Sequence, residues 1–416
     1  MTGQGIGSSV STVTETFAKS FTQQAPIPEE GIARAVEIMR SGKLHRYNSA
    51  PGETSETERL EAEFAAATGA KYAVAVTSGG YAMRLALRAL GLGPGARVLS
   101  NAFTLAPVPG AIVAVGAAPV FVGVTEDLTI DLADLEAKAG EADALLLSHM
   151  RGHIADMDRL MEIADAAGLP VVEDCAHTMG AAWAGTPSGR HGAIGCYSTQ
   201  TYKHANSGEG GFVVTDDADL AAKMILMSGS YMFFDRHGAA PDPETVAAHA
   251  GDMPNVSGRM DNLRAAVLRP QIAALPDNAA RWTALYRTIE AGLRGTPGLT
   301  VIERPDAESF VGSSIQFLLL DWPDAAIEAV VAGAKARGVE LKWFGAEKPQ
   351  GFTSIYRHWA YAAPAPMPAS DRVLRAVVDM RLPLTFSADD CGLIARIIAD
   401  EVTRAAPRLA AEQAAC

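Results

Sequence analysis

The chain has 416 residues, 48% of them hydrophobic and 20% charged. That composition excludes wholesale disorder, and the length exceeds the roughly 250–300 residues a single hydrophobic core supports. A total of 35 Lys and Arg against 48 Asp and Glu leaves a net charge of -13, a poor basis for binding nucleic acid, whose phosphates need clustered cations.

Residues 1–30 read as a flexible N-terminal segment ending in Ala25-Pro26-Ile27-Pro28. Met1 to Gln24 is polar and lacks the charged-then-apolar pattern of a signal peptide. No apolar run approaches the roughly 20 residues that span a bilayer, so no membrane partner is expected. The four cysteines (Cys175, Cys196, Cys391 and Cys416) form no CxxC pair. They predict a reduced, cytoplasmic setting with no disulfide framework and no metal site.

From about residue 30 to 230, short apolar runs alternate with helical patterns. Strands are predicted at Tyr72–Val76, Arg97–Ser100, Pro119–Val122, Ala144–Ser148, Pro170–Asp174 and Gly211–Thr215. Helices are predicted at Tyr81–Leu90, stopped by Gly91 and Gly93, and at Asp156–Ala167. Apolar strands without alternation point to a sheet covered on both faces, and strand–helix–strand repetition to parallel pairing in an α/β fold. Beyond about 230 the texture changes. Long helices are predicted at Met260–Leu275 and Asn278–Leu293. A mixed α+β part follows, with strands at Gln316–Leu320 and Val339–Leu341 and helices at Ala325–Ala336 and Asp389–Ala406.

Three segments can carry chemistry. Thr77-Ser-Gly-Gly80 lies between a strand and a helix, where backbone N–H groups favour an anion and glycines allow a phosphate close. An ordinary glycine turn explains the same residues. Val171-Val-Glu-Asp-Cys-Ala-His177 places Asp174 at the carboxyl end of a buried strand, where ligands bind in open α/β sheets. There it can hold a cationic ring nitrogen or simply cap the next helix. Lys203 sits among Gly, Ser and aromatic residues, with Glu209 the nearest carboxylate in sequence. A desolvated lysine has a lowered pKa and can form a Schiff base. Together the segments supply a phosphate cradle, an acid for a pyridinium nitrogen and a reactive amine, the three parts of a pyridoxal phosphate (PLP) site.

The order of these motifs resembles the DegT/DnrJ-type sugar aminotransferases, which are fold-type I PLP enzymes. The resemblance runs from about Ser41 to Leu275 and continues more weakly to Asp389. It is carried by Glu58-Arg-Leu-Glu61, Thr77 to Leu87, Gly91-Leu-Gly-Pro-Gly95, Gly116-Ala-Ala-Pro-Val120, Ala155-Asp-Met-Asp158, Asp174 with His177, Lys203 with Gly208-Glu-Gly-Gly211, and Arg259-Met260. It implies a large PLP-binding domain over 31–275, built on a mostly parallel sheet flanked by helices, and a smaller α+β domain over 276–416. It also implies a homodimer at least, since such sites form between subunits.

The same resemblance assigns roles. Lys203 would hold PLP as a Schiff base and shuttle the proton. Asp174 would pair with the ring nitrogen, His177 would contact the ring, and Gly79, Gly80 and Ser198 would bind the phosphate. Where the family places an Asn that reaches the neighbouring subunit's phosphate, this chain has Ser257, with Asn255 nearby. Gly80 stands where the family has Thr, and Leu105 where it has an aromatic residue. His149-Met-Arg-Gly-His153 replaces the usual His-Leu-Tyr-Gly-Gln, so Arg151 either forms a structural salt bridge or grips a substrate carboxylate.

The implied reaction is ping-pong transfer of an amino group from L-glutamate or L-glutamine to a keto sugar, often nucleotide-linked, or a cyclitol ketone. A non-sugar keto acceptor, a PLP-dependent sugar dehydratase and a non-catalytic PLP-fold sensor or scaffold stand as alternatives. Lysine rather than histidine at 203 favours transamination over dehydration. A nicotinamide enzyme is disfavoured because the GxGxxG fingerprint is missing.

Overall fold

The computed structural model describes residues 15–413 except 51, 231, 351 and 352, and side chains up to residue 406. A seven-stranded sheet forms the centre of the large lobe. Its strands are β1 (Tyr72–Val76), β2 (Arg97–Asn101), β3 (Ala118–Val122), β4 (Ala144–Ser148), β5 (Val171–Asp174), β6 (Ile194–Ser198) and β7 (Gly211–Thr215). Their order is β1-β7-β6-β5-β4-β2-β3. Strands β2 to β6 pair in parallel, whereas β7 runs antiparallel to both β6 and β1. The sheet is therefore mostly parallel. The turn between β6 and β7 is the loop that carries Lys203.

Every residue of β4 is buried, and the strand period of two divides them between layers. Leu145 and Leu147 join one apolar cluster, and Ala144 and Leu146 another on the opposite face. Each fully buried leucine contributes about 1.5–3 kcal/mol. The helices that cover these faces are locally specified. Ser55 and Glu58 form a reciprocal capping box at the start of Glu56–Thr68. Asp156 caps Met157–Ala167 by accepting from the Arg159 N–H. Arg46 and Glu61 form a fully buried ion pair at 2.8 Å, and Glu61 also accepts the Ala75 N–H of β1. That pair ties the Glu56–Thr68 helix to the sheet edge.

A four-stranded antiparallel sheet builds the smaller lobe from β8 (Thr300–Val301), β9 (Ser314–Leu318), β10 (Lys342–Trp343) and β11 (Val377–Arg381), in the order β8-β9-β11-β10. The helices Leu275–Leu293, Asp324–Ala336 and Ala388–Gln413 pack with it. The strand expected at Val339–Leu341 forms later, at Lys342–Trp343, because only there does the chain come into register with Val378 and Asp379. Strand β11 was not anticipated.

Within the segment expected to be flexible, residues 1–14 lie outside the described residues. Residues from Glu15 onward are docked. Phe17 and Phe21 are buried and pack edge-on against Phe386, and the Phe17 N–H donates to the Arg337 carbonyl. The reason is apolar burial: two phenylalanines in an otherwise polar stretch find a cleft on the smaller lobe. Among the described residues, no helix is long and apolar enough to cross a membrane.

Candidate active site

The carboxyl ends of β4, β5 and β6, the start of the helix Gly79–Ala89 and the β6–β7 loop surround a cavity of about 370 Å³. The structure brings Gly79, Gly80, Asp174, His177, Ser198, Lys203 and Arg151 to its wall. Asn255 and Ser257 are exposed and do not line it; their side chains bond to each other at 3.1 Å.

Close chain approach shapes the anion end. Ser78 caps the Gly79–Ala89 helix, accepting from the Tyr81 N–H at 3.1 Å. That leaves the N–H groups of the first turn directed outward. A Cβ on Gly79 would stand 2.8 Å from Ser198 Cβ, and one on Gly211 would stand 2.8 Å from the Gly79 nitrogen. These glycines are required by space. Gly80 is not, since the nearest atom to its Cβ would be Pro107 Cβ at 3.8 Å.

Asp174 ends β5 at the cavity floor. Ser148 Oγ donates to one carboxylate oxygen at 2.9 Å and the Ala176 N–H to the other at 3.2 Å. Burial pushes its pKa above the usual carboxylate value, against the pull of Lys203 and Ser148. A carboxylate held this way is short of a cationic partner. Its neighbour Glu173, on the other face of the strand, is satisfied. It receives the N–H groups of Gly189, His191 and Gly192 and bonds His149 at 3.0 Å.

Lys203 Nζ lies 2.5 Å from His177 Nε2. His177 Nδ1 accepts the Arg151 N–H at 2.9 Å, so a neutral ring carries its proton on Nε2 and donates it to Lys203. Burial, with the charges of Lys203 and Arg151, holds the His177 pKa well below the usual histidine value. Lys203 must then offer a lone pair. Burial, followed by the Arg151 charge and opposed by Asp174, lowers its pKa to about 7. A neutral amine next to a base-poor imidazole is the state a nucleophilic lysine needs.

Arg151 meets Asp379 Oδ2 at 2.9 Å, and Asp379 Oδ1 accepts from Gln316 at 2.7 Å. The arginine is thus salt-bridged while still lining the cavity. His204, next to Lys203, points away: its Nδ1 bonds the Met179 carbonyl at 2.7 Å and its Nε2 meets Ser313 at 2.9 Å. Burial lowers its pKa to about 4. Leu105, Met83 and Val108 make an apolar wall where an aromatic residue was expected by resemblance.

An acid poised for a cation, a donor-rich glycine turn and a neutral lysine fit PLP. The profile of the DegT/DnrJ/EryC1/StrS aminotransferase family matches residues 27–398. The chain belongs to this family. It is a PLP-dependent aminotransferase. It is 36% identical over 280 residues to the dTDP-3-amino-3,4,6-trideoxy-alpha-D-glucose transaminase of Streptomyces venezuelae, covering 66% of this chain and 69% of the relative. It is 32% identical over 308 residues to the L-glutamine:2-deoxy-scyllo-inosose aminotransferase of Streptoalloteichus tenebrarius, covering 70% and 72%. Its fold superposes on the solved structure of S. venezuelae DesV in complex with a ketimine intermediate. The TM-score is 0.74 at 29% identity, over 90% of this chain and 94% of that one.

Among the cavity residues that escaped the sequence reading as site residues are Ser148, Tyr202 and Arg381. Arg381, at the end of β11, stacks over the Tyr202 ring at 3.7 Å. Tyr202 was visible beside Lys203. The signal for Arg381 was a lone cation ending the run Val377-Val-Asp-Met-Arg381 just before Leu382-Pro383.

Proposed function

We propose that this aminotransferase moves an amino group from L-glutamate or L-glutamine to the keto group of a sugar, nucleotide-linked in one form, or of a cyclitol. The observation that carries the reading is the buried Lys203 amine in one cavity with Asp174 and the glycine turn. Support for the acceptor class comes from relatives named for a dTDP-sugar and for 2-deoxy-scyllo-inosose, and for the donor from a relative named for L-glutamine.

When bound, PLP supplies the carbonyl that carries nitrogen between substrates and an electron sink for the carbanion. Ser198 and the N–H groups at Gly79 and Gly80 would hold its phosphate. Asp174, oriented by Ser148, would keep the ring nitrogen protonated. Lys203 would take the proton from the donor's α-carbon and return it within the same cavity. His177 steadies Lys203 through Nε2 and is itself fixed by the Arg151 backbone. Leu105, Met83 and Val108 keep water from the reacting carbon. His204 cannot replace Lys203, because both its ring nitrogens are engaged elsewhere. That disfavours dehydration.

By the family resemblance, the loop carrying the exposed Asn255 and Ser257 would reach a partner's site in a homodimer. The testing experiment has two stages. The holoenzyme is mixed with L-glutamine or L-glutamate while its visible absorption is followed. The pyridoxamine form is then offered dTDP-keto sugars and scyllo-inosose. An acceptor that exchanges its keto oxygen for nitrogen supports the reading. An acceptor that loses water instead, or a Lys203→Ala variant that still turns over, overturns it.

A further inference from the structure

We infer that Gln316 and Asp379, in the smaller lobe, are positioning residues for Lys203: they hold the turn from His149 to His153 so that its Arg151 N–H stays on His177. The inference rests on the aminotransferase reading above and adds to it two residues that do not line the cavity. The turn follows β4 and has two residues in the left-handed region, Arg151 at φ 57° and Gly152 at φ 84°. Glycine takes that conformation freely, whereas a residue with a Cβ takes it only when its surroundings impose it. The turn also packs directly on the residue it serves, since a Cβ on Gly152 would stand 3.2 Å from the His177 carbonyl oxygen.

Three side chains of the smaller lobe grip this turn. Asp379 Oδ2 meets Arg151 at 2.9 Å, Gln316 Oε1 meets His153 Nε2 at 2.8 Å, and Arg304 Nη1 donates to the Gly152 carbonyl at 2.8 Å. Gln316 and Asp379 are buried and face each other directly across β9 and β11. Gln316 Nε2 donates to Asp379 Oδ1 at 2.7 Å and to Ser314 Oγ at 3.0 Å. These bonds have one polarity. A carboxylate only accepts, so the Gln316 amide turns its NH2 to Asp379 and its oxygen to His153. Burial and the Arg304 charge hold the His153 pKa well below the usual histidine value, so the ring is neutral. Its one proton is then on Nε2, donated to Gln316.

Hydrogen bonds therefore run from His153 through Gln316 to Asp379, and Asp379 takes another from Arg151. Both ends of this ring lie on the same turn, two residues apart. Neither end can swing without breaking a buried bond, which is costly where water cannot replace it. What the ring holds still is the Arg151 peptide, whose N–H meets His177 Nδ1, and through His177 the Lys203 amine.

The test is a mutant cycle on the holoenzyme, followed by stopped-flow absorption of the bound cofactor with L-glutamine or L-glutamate, at the pH plateau of each variant. Gln316→Met removes both amide bonds at similar side-chain length. It should lower the maximal rate of pyridoxamine formation by about 10-fold, part of the cost of a displaced general base, and leave the donor concentration for half-saturation within about twofold. The decisive background is Arg151→Gly, because glycine keeps the left-handed turn without help. There Gln316→Met should cost about twofold or less, a departure from additivity that unconnected sites do not show. A merely structural loosening would cost the same in both backgrounds. His153→Leu should repeat the loss, and His153→Gln, whose amide still donates to Gln316, should recover most of it. That pair carries the test if Gln316→Met does not fold. An equal loss in both backgrounds, a loss confined to half-saturation, or no loss at all overturns the proposal. A wild-type band indifferent to every amine would overturn the aminotransferase reading instead.

Discussion

Lys203 and His177 share one hydrogen-bonded proton at 2.5 Å, and the direction of that bond is set from behind. The Arg151 N–H occupies His177 Nδ1, so the imidazole donates forward and the lysine accepts. A backbone amide on one loop thereby orients the hydrogen bond made to a side chain on another, whose charge state burial and nearby charges set.

Cofactor capture should follow that charge state. The lysine pKa of about 7 lies far below the ordinary value, so the amine is protonated below that pH and neutral above it. The rate at which apoenzyme regains its visible absorption with PLP should rise through about pH 7 and level off above. Stopped-flow reconstitution from about pH 5.5 to about pH 11.5, a range that spans both this midpoint and the ordinary lysine value of roughly 10.4, measures it. A midpoint near the ordinary lysine value would refute the burial argument.

Arg151 contributes to this depression by like-charge repulsion. Arg151→Gln should therefore move the reconstitution midpoint upward. Asp379→Asn, which strips Arg151 of its counter-charge, should move it downward. Opposite shifts in the two variants distinguish electrostatics from general loosening of the site.

Gly79 and Gly80 should respond differently to added side chains. Gly79→Ala forces a Cβ to 2.8 Å from Ser198 and should weaken PLP retention by about tenfold or more, as overpacking costs roughly 1–3 kcal/mol. Gly80→Thr has room and adds a hydroxyl at the anion end. It should hold the cofactor more tightly, by the value of about one hydrogen bond, 0.5–1.5 kcal/mol. Equilibrium dialysis of PLP from each variant reads both.

Acid stability should report the Arg46–Glu61 pair. Burial alone would raise the Glu61 pKa, but the Arg46 and His237 charges hold it at about 2. Folded Glu61 therefore binds its proton less readily than unfolded Glu61. Its stabilisation is present above the ordinary carboxylate pKa and is lost as pH falls toward about 2. Glu61→Gln should be less stable at neutral pH, by roughly 3–5 kcal/mol for a broken buried pair, and should show a flatter decline in acid. Thermal melts across that window measure both slopes.

Much of the large lobe was legible in its sequence, for identifiable reasons. The strands at Tyr72–Val76, Ala144–Ser148 and Gly211–Thr215 have the bounds expected of them, because unbroken apolar runs ended by Ser, Thr or Gly have few other ways to bury themselves. Asp174 stood out because it ends such a run, and Lys203 because it sits among Gly, Ser and aromatic residues with no carboxylate nearer in sequence than Glu209. Strand β11 was hidden, since Asp379 and Arg381 interrupt its pattern and both are explained only by partners far along the chain. Whether Arg151 was bridged or free had the same cause: its partner Asp379 belongs to the other lobe. The antiparallel course of β7 was equally unreadable, because pairing direction follows from the connection and not from the residues of the strand.

The docking of Phe17 and Phe21 has a consequence for how the chain is made. Lys19, in the same segment, meets Asp390 across a separation of 371 residues. This segment thus waits for a surface synthesised 371 residues later. Closure of this contact is a late, non-local step, slow in proportion to the loop it must close. Until then two phenylalanines stay uncovered on the nascent protein, where chaperones can reach them.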